Sequence, residues 1–176
     1  KNTMSGLVLL TTDNSQLENN LIEENHQSGI VIVTSVNNTV TGNVMIANLD
    51  FGIFLKEADE TAVTWNNFTD NNPGGVSQAS DGGENNTFHH NYWNEWTGPD
   101  EDGNGIVDIE YTIEGDPGNT DPFPISKANE TEITTSNTFS RVSGFIINEL
   151  METIVAIAVL NRIARFKKRK TRCYRL

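Results

Sequence analysis

A chain of 176 residues with 36% hydrophobic content has room for one domain of ordinary size. Its formal charge of −12 is divided unevenly: residues 1–161 carry 24 acidic and 4 basic groups, whereas residues 162–176 carry 8 basic and no acidic ones. An acidic body excludes nucleic acid as its partner, because phosphates would be repelled, and the single cysteine, Cys173, excludes a disulfide within the chain.

The chain opens at Lys1-Asn2-Thr3, partway into a repeat, with no signal-peptide pattern, which reads as a mature or truncated start. From residue 5 the sequence says nearly the same thing three times. Ser5-Gly6-Leu7-Val8-Leu9-Leu10 returns as Ser28-Gly29-Ile30-Val31-Ile32-Val33 and as Phe51-Gly52-Ile53-Phe54-Leu55-Lys56, the glycines 23 residues apart. A second phrase, apolar-x-x-Asn-x-apolar, follows in each unit: Leu17…Asn20…Ile22, Val40…Asn43…Met45 and Val63…Asn66…Phe68. A looser fourth copy is read from Gly75 to Phe88…Asn91…Trp93, with its insertion in the turn Ser80–Glu84. A period in the low twenties belongs to leucine-rich repeats or parallel β-helices. The unit lacks the fixed leucine pattern of the former, and its β-branched, Asn, Thr and Gly-rich runs read as short strands divided by turns.

The expected fold is therefore all-β, a right-handed parallel β-helix of about four coils of ~23 residues. Stacking aligns Leu7, Ile30, Ile53 and Val76 in one interior column. Leu9, Ile32 and Leu55 form the next, and Leu17, Val40, Val63 and Phe88 a third, with Val8, Val31 and Phe54 turned outward. Gln78 falls where an aliphatic is wanted. Asn20, Asn43, Asn66 and Asn91 stack at one corner, either as an amide ladder bonding coil to coil or as residues that tolerate a left-handed turn. Four coils at about 4.8 Å each make a stub roughly 15–20 Å tall. The sequons at Asn37, Asn67, Asn85 and Asn129 are candidate glycosylation acceptors of an exported protein, with Asn67 on an outward position.

After the coils, Asp100-Glu101-Asp102-Gly103-Asn104-Gly105-Ile106-Val107-Asp108 matches the first nine positions of a calcium loop. Side-chain oxygens of Asp100, Asp102, Asn104 and Asp108 and the Ile106 carbonyl are the candidate ligands, and Gly105 permits the sharp turn. Position twelve is Tyr111 rather than a bidentate Glu, which points to a weak, structural site; Glu95, Glu114 or Asp116 could substitute, and a solvated acidic turn is the alternative.

Asn91-Tyr92-Trp93, Gly98-Pro99-Asp100, the calcium-like run, Tyr111-x-Ile113 and Asn119-Thr120-Asp121-Pro122-Phe123-Pro124-Ile125 together resemble the closing segment of NosD-type β-helix proteins. The resemblance covers residues 5–125. It implies a prokaryotic surface or periplasmic protein whose closing segment caps the last coil. The fold family hosts copper-delivery proteins, carbohydrate-active enzymes and adhesins, so the resemblance speaks to fold more than to activity. Tyr92, Trp93 and Trp96 suit an apolar plug for the open core end, with sugar binding as the rival use.

Residues 126–141 form a polar spacer before the apolar run Phe145 to Leu160 and the basic stretch Arg162 to Lys170. That order resembles the C-terminal anchors of archaeal surface proteins, with the basic cluster cytoplasmic. Glu149 and Glu152 interrupt the apolar run, so an amphipathic helix on anionic lipid and a soluble helix stay open as alternatives. The organisation expected is β-helix coils over 1–98, a capping segment with the calcium-like loop over 99–125, a polar linker over 126–143, a transmembrane or membrane-associated helix over 144–166 and a basic cytoplasmic tail over 167–176.

Catalysis is not expected. The many acidic residues of the coils carry no recognisable catalytic pairing, and Lys1 and Lys56 are the only candidate bases for lyase chemistry there. Copper delivery is also disfavoured: Met45 aligns with core positions, and adjacent His89 and His90 on a strand would face opposite ways. The function expected is a membrane-tethered surface module for glycan or protein binding or for structural display. The alternatives are a fragment of a carbohydrate-active β-helix enzyme and, less favoured, a NosD-type copper-delivery protein.

Overall fold

The structure, a computed structural model, describes residues 2–115 and 118–129, all within the unit Lys1–Gly144. Most of the spacer, the apolar run and the basic tail lie outside the described residues. Among those described there is no helix, and therefore none long and apolar enough to cross a membrane.

The repeat becomes a parallel β-solenoid of about four turns. Each turn lays down one strand in each of three sheets. The first sheet stacks β1 (Leu7–Leu10), β4 (Ile30–Val33), β7 (Ile53–Lys56) and β10 (Ala79–Gly82), with the short β14 (Glu114–Gly115) beyond. The second holds β2 (Gln16–Glu18), β5 (Thr39–Thr41), β8 (Ala62–Thr64) and β11 (Thr87–His89). The third holds β3 (Leu21–Glu23), β6 (Val44–Ile46), β9 (Asn67–Thr69) and β12 (Tyr92–Trp93). Register is strict: Leu7 lies opposite Ile30 and Ile30 opposite Ile53, so the sequence period is the pitch of the coil. The antiparallel pair β13 (Tyr111–Thr112) and β15 (Thr120–Asp121) lies beyond the last turn.

Alternation along each strand sends one set of side chains inward. Ile30, Ile32, Val40, Met45, Ile53, Leu55, Val63 and Phe68 are all fully buried, while Val8 is exposed. The first interior column departs from expectation at its fourth rung. Ala79, not Val76, pairs with Ile53, and Val76 is 87% exposed. The extra residues of this turn lie at Asn72–Gly75, ahead of the strand, so Ser80–Glu84 is not the insertion; Ser80 to Gly82 are strand instead. Pro73-Gly74-Gly75 is turn chemistry that a repeat-based alignment absorbs into the wrong place.

The coil corners explain the Gly and Asn columns together. A Cβ on Gly6, Gly29 or Gly52 would lie 2.7 Å from Asn25 Nδ2, 2.9 Å from Asn48 Nδ2 and 3.1 Å from Asn71 Nδ2, respectively. The glycine leaves room for an asparagine amide that spans to the neighbouring coil. Positive φ belongs to other columns, among them Thr11, Thr34 and Glu57, then Glu24, Ala47 and Asp70, and the column of Asn19 (54°), Gly42 (65°), Trp65 (57°) and His90 (58°), each immediately before a ladder asparagine.

Candidate functional site

Two amide ladders climb the solenoid and each ends on a carboxylate, Asp121 of the capping segment for one and Glu95 just ahead of it for the other. In the first, Asn20 Nδ2 donates to Asn43 Oδ1 (2.9 Å), Asn43 Nδ2 to Asn66 Oδ1 (3.0 Å) and Asn66 Nδ2 to Asn91 Oδ1 (3.0 Å). Asn91 Nδ2 then donates to Asp121 Oδ2 at 3.0 Å, which also accepts from the Asn91 backbone N–H and from Trp93 Nε1. The second ladder runs Asn2, Asn25, Asn48, Asn71 in the same sense, each Nδ2 donating to the next Oδ1. It closes on Gln78 Oε1 (2.9 Å), and Gln78 Nε2 passes the row on to Glu95 Oε2. Gln78 is thus the terminal rung of an amide ladder and not a misplaced core residue. Every rung donates toward the cap, so the aligned amide dipoles present their positive ends there, and an acceptor-only carboxylate ends the row with no N–H left over. Asn2, Asn25, Asn48 and Asn71 carry the same 23-residue spacing as the first ladder, and that spacing is the signal in the sequence for the second.

The core end is sealed by stacked rings. Phe68 and Trp93 stack at 4.2 Å, Trp93 and Tyr111 at 4.1 Å, and Trp96 meets Tyr111 edge-on at 5.5 Å. Trp93 is buried and Trp96 half-buried, while Tyr92 stands half-buried outside the stack. Tyr111 donates to Glu95 Oε1 (2.7 Å) and accepts from the Gln78 N–H (2.8 Å). Burial pushes the Tyr111 phenol well above its ordinary range; bonds to Ser77 and Gln78 act against the rise and Glu95 adds to it.

The calcium-like loop follows the plug. Asp100 Oδ2 accepts from the Gly105 N–H (3.1 Å) and the Ser126 hydroxyl (3.2 Å), closing the loop, while Asp100 Oδ1 is buried with no hydrogen-bond partner among the described residues. Gly103 and Gly105 adopt positive φ, 70° and 86°. The other candidates are engaged within the loop: Asp102 accepts from Asn104, Asn104 Oδ1 from the Ile106 N–H, and Asp108 Oδ2 from the Glu101 N–H. Among the described residues no three His, Cys, Asp or Glu side chains stand close enough to hold a metal ion in this conformation. Glu95, the suggested substitute ligand, is committed to Tyr111 and Gln78.

Two further expectations change. His89 and His90 do not point apart: the left-handed backbone at His90 breaks strand alternation and brings the two Nδ1 atoms to 3.0 Å. Asn67 is not a free outward side chain, because the segment at Asn129 covers it. Asn67 Oδ1 accepts from the Asn129 N–H and Asn67 Nδ2 donates to the Asn129 carbonyl, leaving the residue 6% exposed. Asn37 and Asn85 are exposed and Asn129 is half-buried.

No curated protein and no solved structure matches the chain. A family model described as "Periplasmic copper-binding protein (NosD)" matches residues 1–120, which takes in all of the coils and most of the capping segment. With its parallel solenoid and a match over most of its length, this chain belongs to the NosD family.

Proposed function

We propose that the protein is a surface-displayed β-helix module that binds glycans on the flank of its coils, tethered to the membrane by residues 144–166. The observation that carries this reading is the way the acidic and amide side chains are spent. Asp81 and Asp121 are buried and bonded, Asp81 accepting from Gly83, Asn86 and Asn119. Asp121 ends an amide ladder and Asp81 ties Gly83 and Asn86 to Asn119, so neither is offered to a substrate. What remains outside is a regular face of Thr, Asn and acidic side chains, Asp13, Glu18, Glu24, Asp50 and Glu60 among them, with Trp65 exposed, which suits recognition of a polar ligand. The description of the family as periplasmic fits a place outside the cytoplasm. The tether is supported by the order of spacer, apolar run and basic end in the sequence.

Calcium is proposed as a structural ion at Asp100, Asp102, Asn104, the Ile106 carbonyl and Asp108. Its support is the buried, partnerless Asp100 Oδ1 within a loop already closed by Gly105. A buried carboxylate oxygen without a donor is costly, and a hard cation would relieve it.

Copper fits less well. His89 and His90 offer two nitrogens at 3.0 Å, but Met45 is sealed in the core and no third ligand joins them among the described residues. A copper centre needs a fuller donor set. No step of a copper mechanism is assigned to this chain.

A glycan array probed with the full chain tests the reading. Binding to a defined glycan class is the expected result; absence of binding to every glycan would leave only structural display.

A further inference from the structure

The fold treats the four sequons of the chain unequally, because the repeat puts each at a different place on the coil. Asn37 and Asn85 fall in the corner column between the first and second sheets. That column is Asn14, Asn37, Glu60 and Asn85, and every member has positive φ (56°, 58°, 55° and 58°). Asn adopts such left-handed backbone at little cost, and both side chains are exposed. The residue after each, Asn38 or Asn86, is buried and anchors the corner to the coil before it. Asn38 Oδ1 accepts from the Ser15 N–H (2.8 Å) and Asn86 Oδ1 from the Thr61 N–H (2.7 Å).

Of the two, Asn85 is the freer. Asn37 Nδ2, the atom that would carry a sugar, donates to Asn14 Oδ1 at 2.7 Å. Its partner in the sequon, Thr39, is half-buried in β5 with a strand on either side. Among the described residues nothing bonds the Asn85 amide or the Thr87 hydroxyl, and both residues are exposed. Thr87 opens β11, the outermost strand of the second sheet. The remaining two sequons close on each other. Asn67 lies within β9, its Nδ2 donating to the Asn129 carbonyl and its Oδ1 accepting from the Asn129 N–H, both at 3.1 Å. Asn129 Nδ2 is spent on the Trp65 carbonyl at 3.2 Å. Neither amide can take a sugar without parting the two segments.

We infer that Asn85 is an N-glycan attachment site of the folded chain, with Asn37 a slower second, and that Asn67 and Asn129 stay bare. In the transfer, Asn85 Nδ2 attacks C1 of a lipid-linked oligosaccharyl pyrophosphate. The C1–N bond forms, the C1–O bond breaks, the lipid pyrophosphate leaves, and the amide proton passes to a base of the transferase. The Thr87 hydroxyl is the second recognition element of the sequon. A bulky, solubilising glycan on this corner displaces no hydrogen bond of the coils and stands away from the Trp65 corner between the second and third sheets. The inference rests on the placement of the chain outside the cytoplasm, and it is independent of what the coil flank binds.

The test incubates the folded full chain with a purified oligosaccharyltransferase and its lipid-linked oligosaccharide. Four synthetic peptides, one per sequon, serve as unfolded references. Masses of proteolytic fragments over a time course give the rate at each site, which is divided by the rate of the matching peptide. The expected result is the highest ratio at Asn85, a lower one at Asn37, and ratios at least tenfold below that of Asn85 at Asn67 and Asn129. Asn85→Gly keeps the left-handed backbone and Thr87→Val keeps a β-branched strand residue. Each is expected to abolish modification at position 85 with an unchanged thermal midpoint, and the glycosylated wild type to melt where the bare chain does. Modification of Asn67 or Asn129 at a ratio within tenfold of that at Asn85 overturns the inference. So does an unmodified Asn85 in a chain whose peptide is modified, or a lowered midpoint once Asn85 carries its glycan. Because the transferase is supplied in solution, a failure here is distinct from a failure of the proposed location or of glycan recognition by the flank.

Discussion

Asn66 is where the ladder account is most exposed to refutation. Its Oδ1 accepts from the Asn43 N–H (2.9 Å) and from Asn43 Nδ2 (3.0 Å); its Nδ2 donates to the Val40 carbonyl (2.9 Å), the Thr64 carbonyl (3.0 Å) and Asn91 Oδ1 (3.0 Å). The residue is fully buried. Asn66→Ala strands one buried donor, the Asn43 backbone N–H, at roughly 2 kcal/mol, because Asn43 Nδ2 keeps the Leu17 and Thr41 carbonyls and the three acceptors keep other lone pairs in use. The expected loss is about 2 kcal/mol. Asn66→Asp is isosteric and keeps both acceptances, yet it turns an oxygen onto three acceptors in a water-free corner. A buried carboxylate in that setting costs several kcal/mol, so Asp is expected to be worse than Ala. That ordering is the opposite of what size or shape conservation predicts. Asp is native only at the end of the row, as Asp121 is. Urea denaturation of the full chain, with slopes compared to confirm equal surface exposure, gives the three stabilities. Asn66→Asp proving milder than Asn66→Ala, or both falling within about 1 kcal/mol of wild type, would refute the directional ladder.

Three other outcomes are expected. Gly29→Ala places a Cβ 2.7 Å from the Gly52 carbonyl oxygen and 2.9 Å from Asn48 Nδ2, and it is expected to cost about 2–3 kcal/mol, measured by the same denaturation. Tyr111 has its phenol pKa raised by burial, so the proton it holds stabilises the fold fully below the ordinary tyrosine value of about 10 and progressively less above it. In an alkaline titration followed by phenolate absorbance, one of the three tyrosines is expected to stay protonated until the chain unfolds, and Tyr111→Phe is expected to remove that lagging step. For the proposed ion, millimolar calcium is expected to raise the thermal midpoint with an affinity of about 10⁻⁴–10⁻³ M, and Asp100→Asn to abolish the effect. A midpoint indifferent to calcium and to chelator would remove the ion from the account.

Much of the fold was legible because a solenoid writes its pitch directly into the chain. Ile30, Ile53 and their neighbours fall into columns from spacing alone, and Met45 was readable as core from its alignment with Ile22 and Phe68. The fourth turn was not legible in the same way. There the insertion at Asn72–Gly75 breaks the period, and Val76 takes the apolar look of a core position while Ala79 fills it. The ends of the ladders were hidden for another reason. Asp121 is remote in sequence from Asn91, and nothing local shows that its carboxylate receives the row. The histidine pair misled because strand alternation was assumed through a corner where the backbone is left-handed.

The most direct test of the central claim is residue-resolved hydrogen exchange by NMR on the full chain, read at the asparagine side chains as well as the backbone. The account predicts slow Nδ2 exchange for Asn43, Asn48, Asn66, Asn71 and Asn91, with the backbone amides of β4, β6, β7 and β9 protected as one cooperative block. Free exchange of those amide groups beside protected backbone strands would contradict it.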